Sequence, residues 1–347
     1  MSHLLSSPHA ETVVSGMRTT GHLHLGHYHG ILKNWLKLQY EFDCYFFAAD
    51  WHALTTQYED PSRIHKDTWT LLIEWLALGL DPDHCTIFIQ SWLPEHAELH
   101  LLLSMITPLP WLERVPTFKD QQAQLRDKEL NTYGFLGYPL LQSADVLLYG
   151  ASWVPVGEDQ VPHIELTREV ARRFNYLYGH SPGDREPPLE LLKEPQALLS
   201  KASKFLGLDG RKMSKSYHNT IGLCEEPESI SLKIRTMPTD PARVRRIDPG
   251  TPEKCPVWNL HQIYSSDETK QWVHQGCTTA GIGCLDCKKP VIESILYELQ
   301  PIRERAEAWR EQPEALRAIA QQGAEKARLR AQKTLQMVRR ALGLSYE

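Results

Sequence analysis

The stretch that most constrains this chain is Thr20–Gly30, which reads TGHLHLGHYHG. It lies between a short apolar run, Thr12-Val13-Val14, and a helical pattern from about Gly30 to Phe42. An apolar run, a glycine- and histidine-rich turn and a helix make a strand-to-helix connection. Such a turn places free backbone N–H groups and a helix N-terminus at a sheet edge, where anionic phosphate is stabilised. Gly16-x4-Gly21 has the glycine spacing of a P-loop, but His22-Leu23 stands where that motif needs Lys and Ser or Thr. The donors of this turn are therefore imidazoles, mainly His24 and His27. Alone, they fit surface histidines as well as a site.

The alternation continues. Cys44–Ala49 is a buried-strand run ending at Asp50-Trp51-His52, residues 65–79 carry Trp69, Leu72, Ile73 and Leu76 at helical spacing, and Thr86–Ile89 is the next strand. This predicts an α/β fold, a doubly wound parallel sheet with ligands at the C-terminal strand edges, where Asp50 and His52 fall. Residues 94–150 read as mostly helical, apart from the Pro-rich bend at 107–111. Within Tyr138–Tyr149 the polar residues Gln142 and Asp145 are three apart and share a helix face. An Asp in so apolar a wall needs a partner; a salt bridge or a helix cap is the structural alternative to a ligand contact. Val154–Gln160, VPVGEDQ, is a strand end, a glycine turn and an acidic helix start that runs on to Tyr178 and stops at Gly179. After residue 218 the alternation gives way to helices at about 225–236, 257–265, 287–309 and 313–341.

Far downstream of the first turn, Arg211–Ser216 forms a basic, hydroxyl-rich loop containing KMSKS, Lys212 to Ser216. HLGH (His24 to His27) and KMSKS, in this order, resemble the two signatures of class I aminoacyl-tRNA synthetases. With Ser15–Arg18, Asp50–Ala53, Tyr138–Tyr149, VPVGEDQ and Ile164–Arg168, the chain resembles the bacterial tryptophanyl-tRNA synthetases over essentially its full length. The resemblance implies a Rossmann-type catalytic domain over 1–217, with a dimer-forming helical insertion at about 94–150, and a helical anticodon-binding domain over 218–347. It implies a homodimer that activates L-tryptophan with ATP and Mg2+ and then loads tRNA(Trp).

By the same resemblance, ATP would meet Arg18, Thr19, Thr20, Gly26, His27, Gly157, Glu158, Asp159 and the loop Lys212, Met213, Ser214, Lys215 and Ser216. Gly26 would leave room for the base and Asp159 would hold the ribose. Tryptophan would sit among Val14, Gly16, His52, Tyr138, Gln142, Val154, Val156 and Gln160, with Asp145 on the indole N–H. Three positions depart from the family's usual residues: Arg18 stands for Gln, Gln142 for Met, and Val14 for an aromatic of some members. The chemistry asks for such residues independently of any family. A carboxylate attacking an α-phosphate needs no enzymic nucleophile, only reactants held in line and charge stabilised on the departing pyrophosphate. His24, His27, Lys212 and Lys215 are the candidates for that work, and a loop that closes over ATP excludes water from the adenylate.

Charge and cysteines complete the reading. The net charge is −5, yet residues 288–347 carry 12 Lys and Arg against 8 Asp and Glu, and Lys326–Arg340 holds six basic residues and no acid. With Arg243, Arg245 and Arg246, this basic end suits RNA, a solvated helix face being the plainer alternative. There is no apolar run long enough for a membrane helix and no signal-peptide pattern, so a cytoplasmic protein is expected. Of seven cysteines, Cys44 and Cys85 fall in or beside strands and Cys224 has no assigned role. Cys255, Cys277, Cys284 and Cys287 have the spacing C-x21-C-x6-C-x2-C, a thiolate set open to zinc or iron–sulfur. Resemblance to a subset of these synthetases favours a [4Fe-4S] cluster over Zn2+. Competing expectations are a tyrosyl-tRNA synthetase, a small-molecule nucleotidyltransferase and a non-catalytic RNA-binding paralogue.

Overall fold

The strands are apolar on both faces, and the sheet they form is covered on both. A computed structural model describes residues 11–116, 132–180, 188–199 and 205–346. Five parallel strands, β1 (Thr12–Arg18), β2 (Asp43–Ala49), β3 (Cys85–Ile89), β4 (Trp153–Val156) and β5 (Gln196–Leu199), lie in the order β3-β2-β1-β4-β5. The pleat divides each strand between two cores. In β2, Cys44, Phe46 and Ala48 face one core, while Tyr45, Phe47 and Ala49 face the other.

The helix after β1 begins earlier than expected, with α1 (Leu25–His27) inside the HLGH sequence. A π-helical turn, Tyr28–Leu32, follows and leads into α2 (Lys33–Leu38). Then come α3 (Asp50–Gln57), α4 (Ile64–Leu78), α5 (Glu95–Ser104), α6 (Leu109–Glu113), α7 (Tyr133–Leu147) and α8 (Val161–Tyr178). The expected insertion therefore contains α5, α6 and α7, and its segment 117–131 lies outside the described residues.

Beyond residue 218 the chain is helical: α9 (Pro227–Thr236), α10 (Pro256–Tyr264), α11 (Asp267–Thr278), α12 (Cys284–Arg310) and α13 (Pro313–Ala341). The sequence reading missed β5 and α11. The latter had a readable start, since Ser266 caps it by accepting the Thr269 N–H. These helices share the cores of the sheet, with Val291, Ile295 and Leu299 of α12 on one side and Ala327, Ala331 and Leu335 of α13 on the other. Gly323 of α13 meets β3 directly: a Cβ there would lie 1.8 Å from the Ile87 carbonyl oxygen.

That packing corrects the reading of the basic run. Arg330 pairs with Asp43 at 3.0 Å, Arg339 is bidentate to Glu98 with both contacts at 2.6 Å, Arg328 reaches Glu95 at 3.6 Å, and Lys326 reaches Asp43 at 3.9 Å. Four of the six cations hold α13 to the body of the protein. Charge counting along the sequence could not show this, because the acids they meet come from β2 and α5. Among the described residues no helix is long and apolar enough to cross a membrane.

Candidate active site

The strand order reverses between β1 and β4, and a cavity of about 490 Å³ opens there at their C-terminal ends. This is the switch-point crevice of a doubly wound sheet. All nine residues expected around tryptophan line it: Val14 and Gly16 from β1, His52 from α3, Tyr138, Gln142 and Asp145 from α7, and Val154, Val156 and Gln160 from β4 and its exit. Arg18, Thr20, His27, Gly157, Asp159 and Lys215 line the same cavity. Thr19 is buried behind them with no partner for its hydroxyl among the described residues. Glu158 and Ser216 are exposed, and His24, Gly26, Lys212, Met213 and Ser214 are not part of the lining.

Asp145 is 1% exposed. His52 Nε2 approaches one carboxylate oxygen at 2.8 Å and His96 Nδ1 the other at 2.7 Å, while Gln90 Nε2 donates to both at 2.8 and 2.9 Å. The far nitrogen of His96 lies 2.7 Å from the Tyr149 hydroxyl. Burial works against ionisation here, but the hydrogen bonds from His52 and His96 prevail and hold the carboxyl well below the usual range. Asp145 is thus a fixed anion at the inner end of the cavity. Sequence reading asked for a partner to Asp145 but placed only His52 of these three beside it. Gln90 carried a signal, being a polar residue at the C-terminal end of a strand, and His96 carried none.

At the outer end the two signatures meet. The His24 and His27 rings stack with centroids 3.6 Å apart. Burial, reinforced by Lys215, lowers the His24 pKa to about 4; burial, with His24, Lys215 and Lys212 nearby, lowers that of His27 well below its ordinary value. Both imidazoles are neutral, and His27 Nδ1 accepts the His24 backbone N–H at 3.3 Å, which leaves the Nε2 of His27 to carry the ring proton. Beneath them the fully buried Glu74, which the sequence reading passed over, accepts the Leu23 N–H at 2.6 Å and lies 2.7 Å from His22 Nδ1. That contact raises the His22 pKa.

The KMSKS sequence leaves a hairpin whose strands are tied by Met213 N–H to Phe205 C=O at 3.1 Å and Gly207 N–H to Arg211 C=O at 2.7 Å. The chain after it pairs with the first turn, Leu25 N–H donating to Ile221 C=O and Leu223 N–H to Leu23 C=O, both at 3.0 Å. Met213 is buried against Gly26, where a Cβ would stand 3.0 Å from the His24 ring and 3.2 Å from Met213 Cβ. Lys215 Nζ donates to the carbonyls of Thr20 at 3.0 Å and Gly21 at 2.8 Å, and burial lowers its pKa to about 8. Lys212 stands 3.8 Å from Asp159, both side chains largely in solvent.

The four cysteines gather around the start of α12. Cys255 precedes α10, Cys277 lies near the end of α11, and Cys284 and Cys287 form the first turn of α12. Burial raises the Cys287 thiol to about 12, with the other three sulfurs adding to the rise. Yet no three His, Cys, Asp or Glu side chains among the described residues come together as a metal-ligand group. Two of the sulfurs face nitrogen instead: Cys287 Sγ is 3.4 Å from His261 Nε2, and Cys277 Sγ is 3.7 Å from the Arg243 guanidinium. Cys44 and Cys85 are neighbours on β2 and β3, buried in the core.

Comparison with known proteins agrees with this geometry. A family model described as tRNA synthetases class I (W and Y) matches residues 8–300. The tryptophan–tRNA ligases of Ralstonia nicotianae and Thermotoga maritima are 53% and 52% identical to the chain, over 97% and 96% of it and 99% of each relative. Tryptophanyl-tRNA synthetase from Campylobacter jejuni, solved with ADP and tryptophan, matches with a TM-score of 0.85 at 29% identity, covering 96% of this chain and 100% of that one. A tyrosyl-tRNA synthetase from Archaeoglobus fulgidus shares the fold, with a TM-score of 0.63 at 22% identity, over 85% of this chain and 90% of that one.

Proposed function

The chain belongs to the class I tRNA synthetases of the tryptophan and tyrosine type, and from that membership we propose that it is a tryptophan–tRNA ligase. It activates L-tryptophan with ATP to tryptophanyl-adenylate and pyrophosphate, then transfers tryptophan to tRNA(Trp). The observation that carries this reading is one cavity with a buried carboxylate, Asp145, at its inner end and His27 and Lys215 at its outer end.

The indole would enter the inner end and give its N–H to Asp145, whose ionised state the four contacts from His52, His96 and Gln90 maintain. Its carboxylate would then point toward the β1–α1 turn. ATP would lie across Gly26 and Gly157, with ribose on Asp159 and the phosphates toward Arg18, Thr20 and the neutral His24 and His27. The carboxylate oxygen attacks the α-phosphorus, the bond to the bridging oxygen breaks, and pyrophosphate leaves with the negative charge. Lys215, on release from the Thr20 and Gly21 carbonyls, and Lys212 would take up that charge. A donor that stabilises charge in the transition state contributes about 3–4 kcal/mol. Mg2+ would share the phosphate charge when bound. Pyrophosphate exchange measured with each amino acid tests the assignment: tryptophan-dependent exchange is expected, and exchange with tyrosine alone would overturn it.

Three finer readings belong to the same proposal. Leu101, Met105, Leu109 and Tyr133, all exposed in the α5–α7 region, support a homodimer formed through that face. The exposed Arg245 and Arg246 beside Val244 and Ile247 support tRNA docking at the C-terminal region, in place of the paired basic face of α13. Cys255, Cys277, Cys284 and Cys287 suit a thiolate-bound centre by their donor chemistry and by the convergence of their sulfurs on one region, once His261 and Arg243 are displaced. We favour [4Fe-4S] over Zn2+ by the resemblance to the cluster-bearing subset of these synthetases. Iron and sulfide analysis of anaerobically purified protein decides it, with stoichiometric zinc overturning the cluster and no metal overturning the site.

A further inference from the structure

The π-helical turn comes immediately after HLGH, and one of its residues has no part in that chemistry. His29 Nε2 donates to the Tyr264 hydroxyl at 2.8 Å. Tyr264, the last residue of α10, donates in turn to Glu298 of α12 at 2.8 Å, and Lys33 donates to the other oxygen of the same carboxylate at 2.9 Å. The direction of the chain is fixed, because the carboxylate only accepts and the ammonium only donates. Burial opposes ionisation of Glu298, but the bonds from His29, Lys33 and Tyr264 hold its pKa down at about 2.

The opposite side of the same imidazole packs on the KMSKS hairpin. The His29 ring stacks on Phe205 with centroids 4.9 Å apart and planes 18° apart, and Phe205 is buried. Phe205 C=O accepts the N–H of Met213, and Met213 is the residue seated on Gly26. One side chain therefore touches the helix of the first signature, the base of the hairpin bearing the second, and two helices of the C-terminal region. A π turn inserts one residue into a helix and rotates the turns beyond it, and such insertions concentrate at functional sites. Here it aims His29 between α10 and Phe205.

We propose that His29 is a positioning residue for adenylate formation: Tyr264 and Glu298 hold its ring, the ring sets Phe205, and Phe205 sets the KMSKS hairpin against the HLGH turn, so that α10 and α12 govern where the loop sits. Polar networks fix orientation in a way that apolar packing of the same area does not. A shift of α10 reaches Met213, two residues before Lys215, through three contacts, and a shift of α12 through four, without crossing the tryptophan end of the cavity.

The inference rests on the ligase reading, and pyrophosphate exchange separates the two. If the unaltered protein shows no tryptophan-dependent exchange, the ligase reading fails. If it does, Tyr264→Phe, which removes one hydroxyl, should lower kcat about tenfold while the KM for tryptophan stays within about twofold, a coupling of ordinary size between linked sites. Phe205→Leu should lower kcat as well, and adding Tyr264→Phe to it should cost little more, because both act through one path. Unchanged kcat in Tyr264→Phe overturns the proposal. So does a loss that is additive with Phe205→Leu, or one in which kcat, the KM for tryptophan and the melting temperature all move together, since each marks a merely structural contact.

Discussion

The two ends of the cavity are built differently. At the inner end Asp145 is 1% exposed and already engaged with His52, His96 and Gln90. At the outer end Asp159 and Lys212 stand largely in solvent, 3.8 Å apart, and Lys215 is held, among the described residues, by two backbone carbonyls. Selecting an amino acid needs a donor–acceptor geometry fixed before the ligand arrives. Transferring charge onto pyrophosphate needs groups that move with the reaction. The rigid end is set by helix packing under α7, and the movable end hangs on a hairpin.

The largest expected effect tests the rigid end. Asp145→Ala should lower kcat/KM for tryptophan by roughly 10⁴, because a site built to accept one N–H discriminates by about that factor when the pair is lost. It also leaves His52 and His96 facing an uncharged cavity. Asp145→Asn preserves the shape and separates the two effects: if it folds normally and still prefers tryptophan undiminished, the indole partner is another residue and the contrast between the ends dissolves.

The middle-sized effect tests the movable end. Lys215→Ala should lower kcat for exchange by about a hundred- to thousandfold with little change in tryptophan binding, since its charge is wanted in the transition state. A raised KM at unchanged kcat would place Lys215 in ordinary binding. The pH dependence has a definite sign. Burial lowers the Lys215 pKa to about 8, so the ammonium is present below that pH and lost above it. For the free enzyme, kcat/KM for ATP should therefore fall as pH rises through about 8, and Lys215→Arg should remove that limb. A rate that is flat from neutral pH upward would show that Lys215 does not titrate there.

The same division decides what could be read from sequence. The movable end was legible because its parts are contiguous: HLGH and KMSKS each hold their functional residues within a few positions, and a strand-to-helix turn announces where they stand. The rigid end was legible only along α7, where Gln142 and Asp145 share one helix face. Gln90, in the turn just after β3, and His96 of α5 reach Asp145, and nothing local marks a residue for a partner so distant in the chain. Glu74 was hidden for the same reason, a carboxylate on the buried face of α4 that meets a turn read separately. The basic run at Lys326–Arg340 shows the converse error. Its composition was plain, but the acids that neutralise it, Asp43, Glu95 and Glu98, come from elements far upstream, so only packing could tell a docking face from a paired one.

The smallest effect sharpens the comparison most. Asp159→Asn breaks the contact with Lys212. Were the outer end held together as the inner one is, that loss would destabilise the fold. An ion pair in solvent, however, contributes about 0–1 kcal/mol, because screening and side-chain ordering offset its attraction. The melting temperature of Asp159→Asn should therefore shift by only a few degrees at most, and added salt, which screens an exposed pair, should shrink the difference further. Binding should respond differently. An amide still accepts from a ribose hydroxyl but more weakly than a carboxylate, so the KM for ATP should rise by about three- to tenfold while the KM for tryptophan stays put. A large loss of stability would mean that Asp159 and Lys212 form part of the fixed frame. A change in tryptophan KM equal to that for ATP would mean that the two ends of the cavity act as one unit, with no division between a rigid end and a movable one.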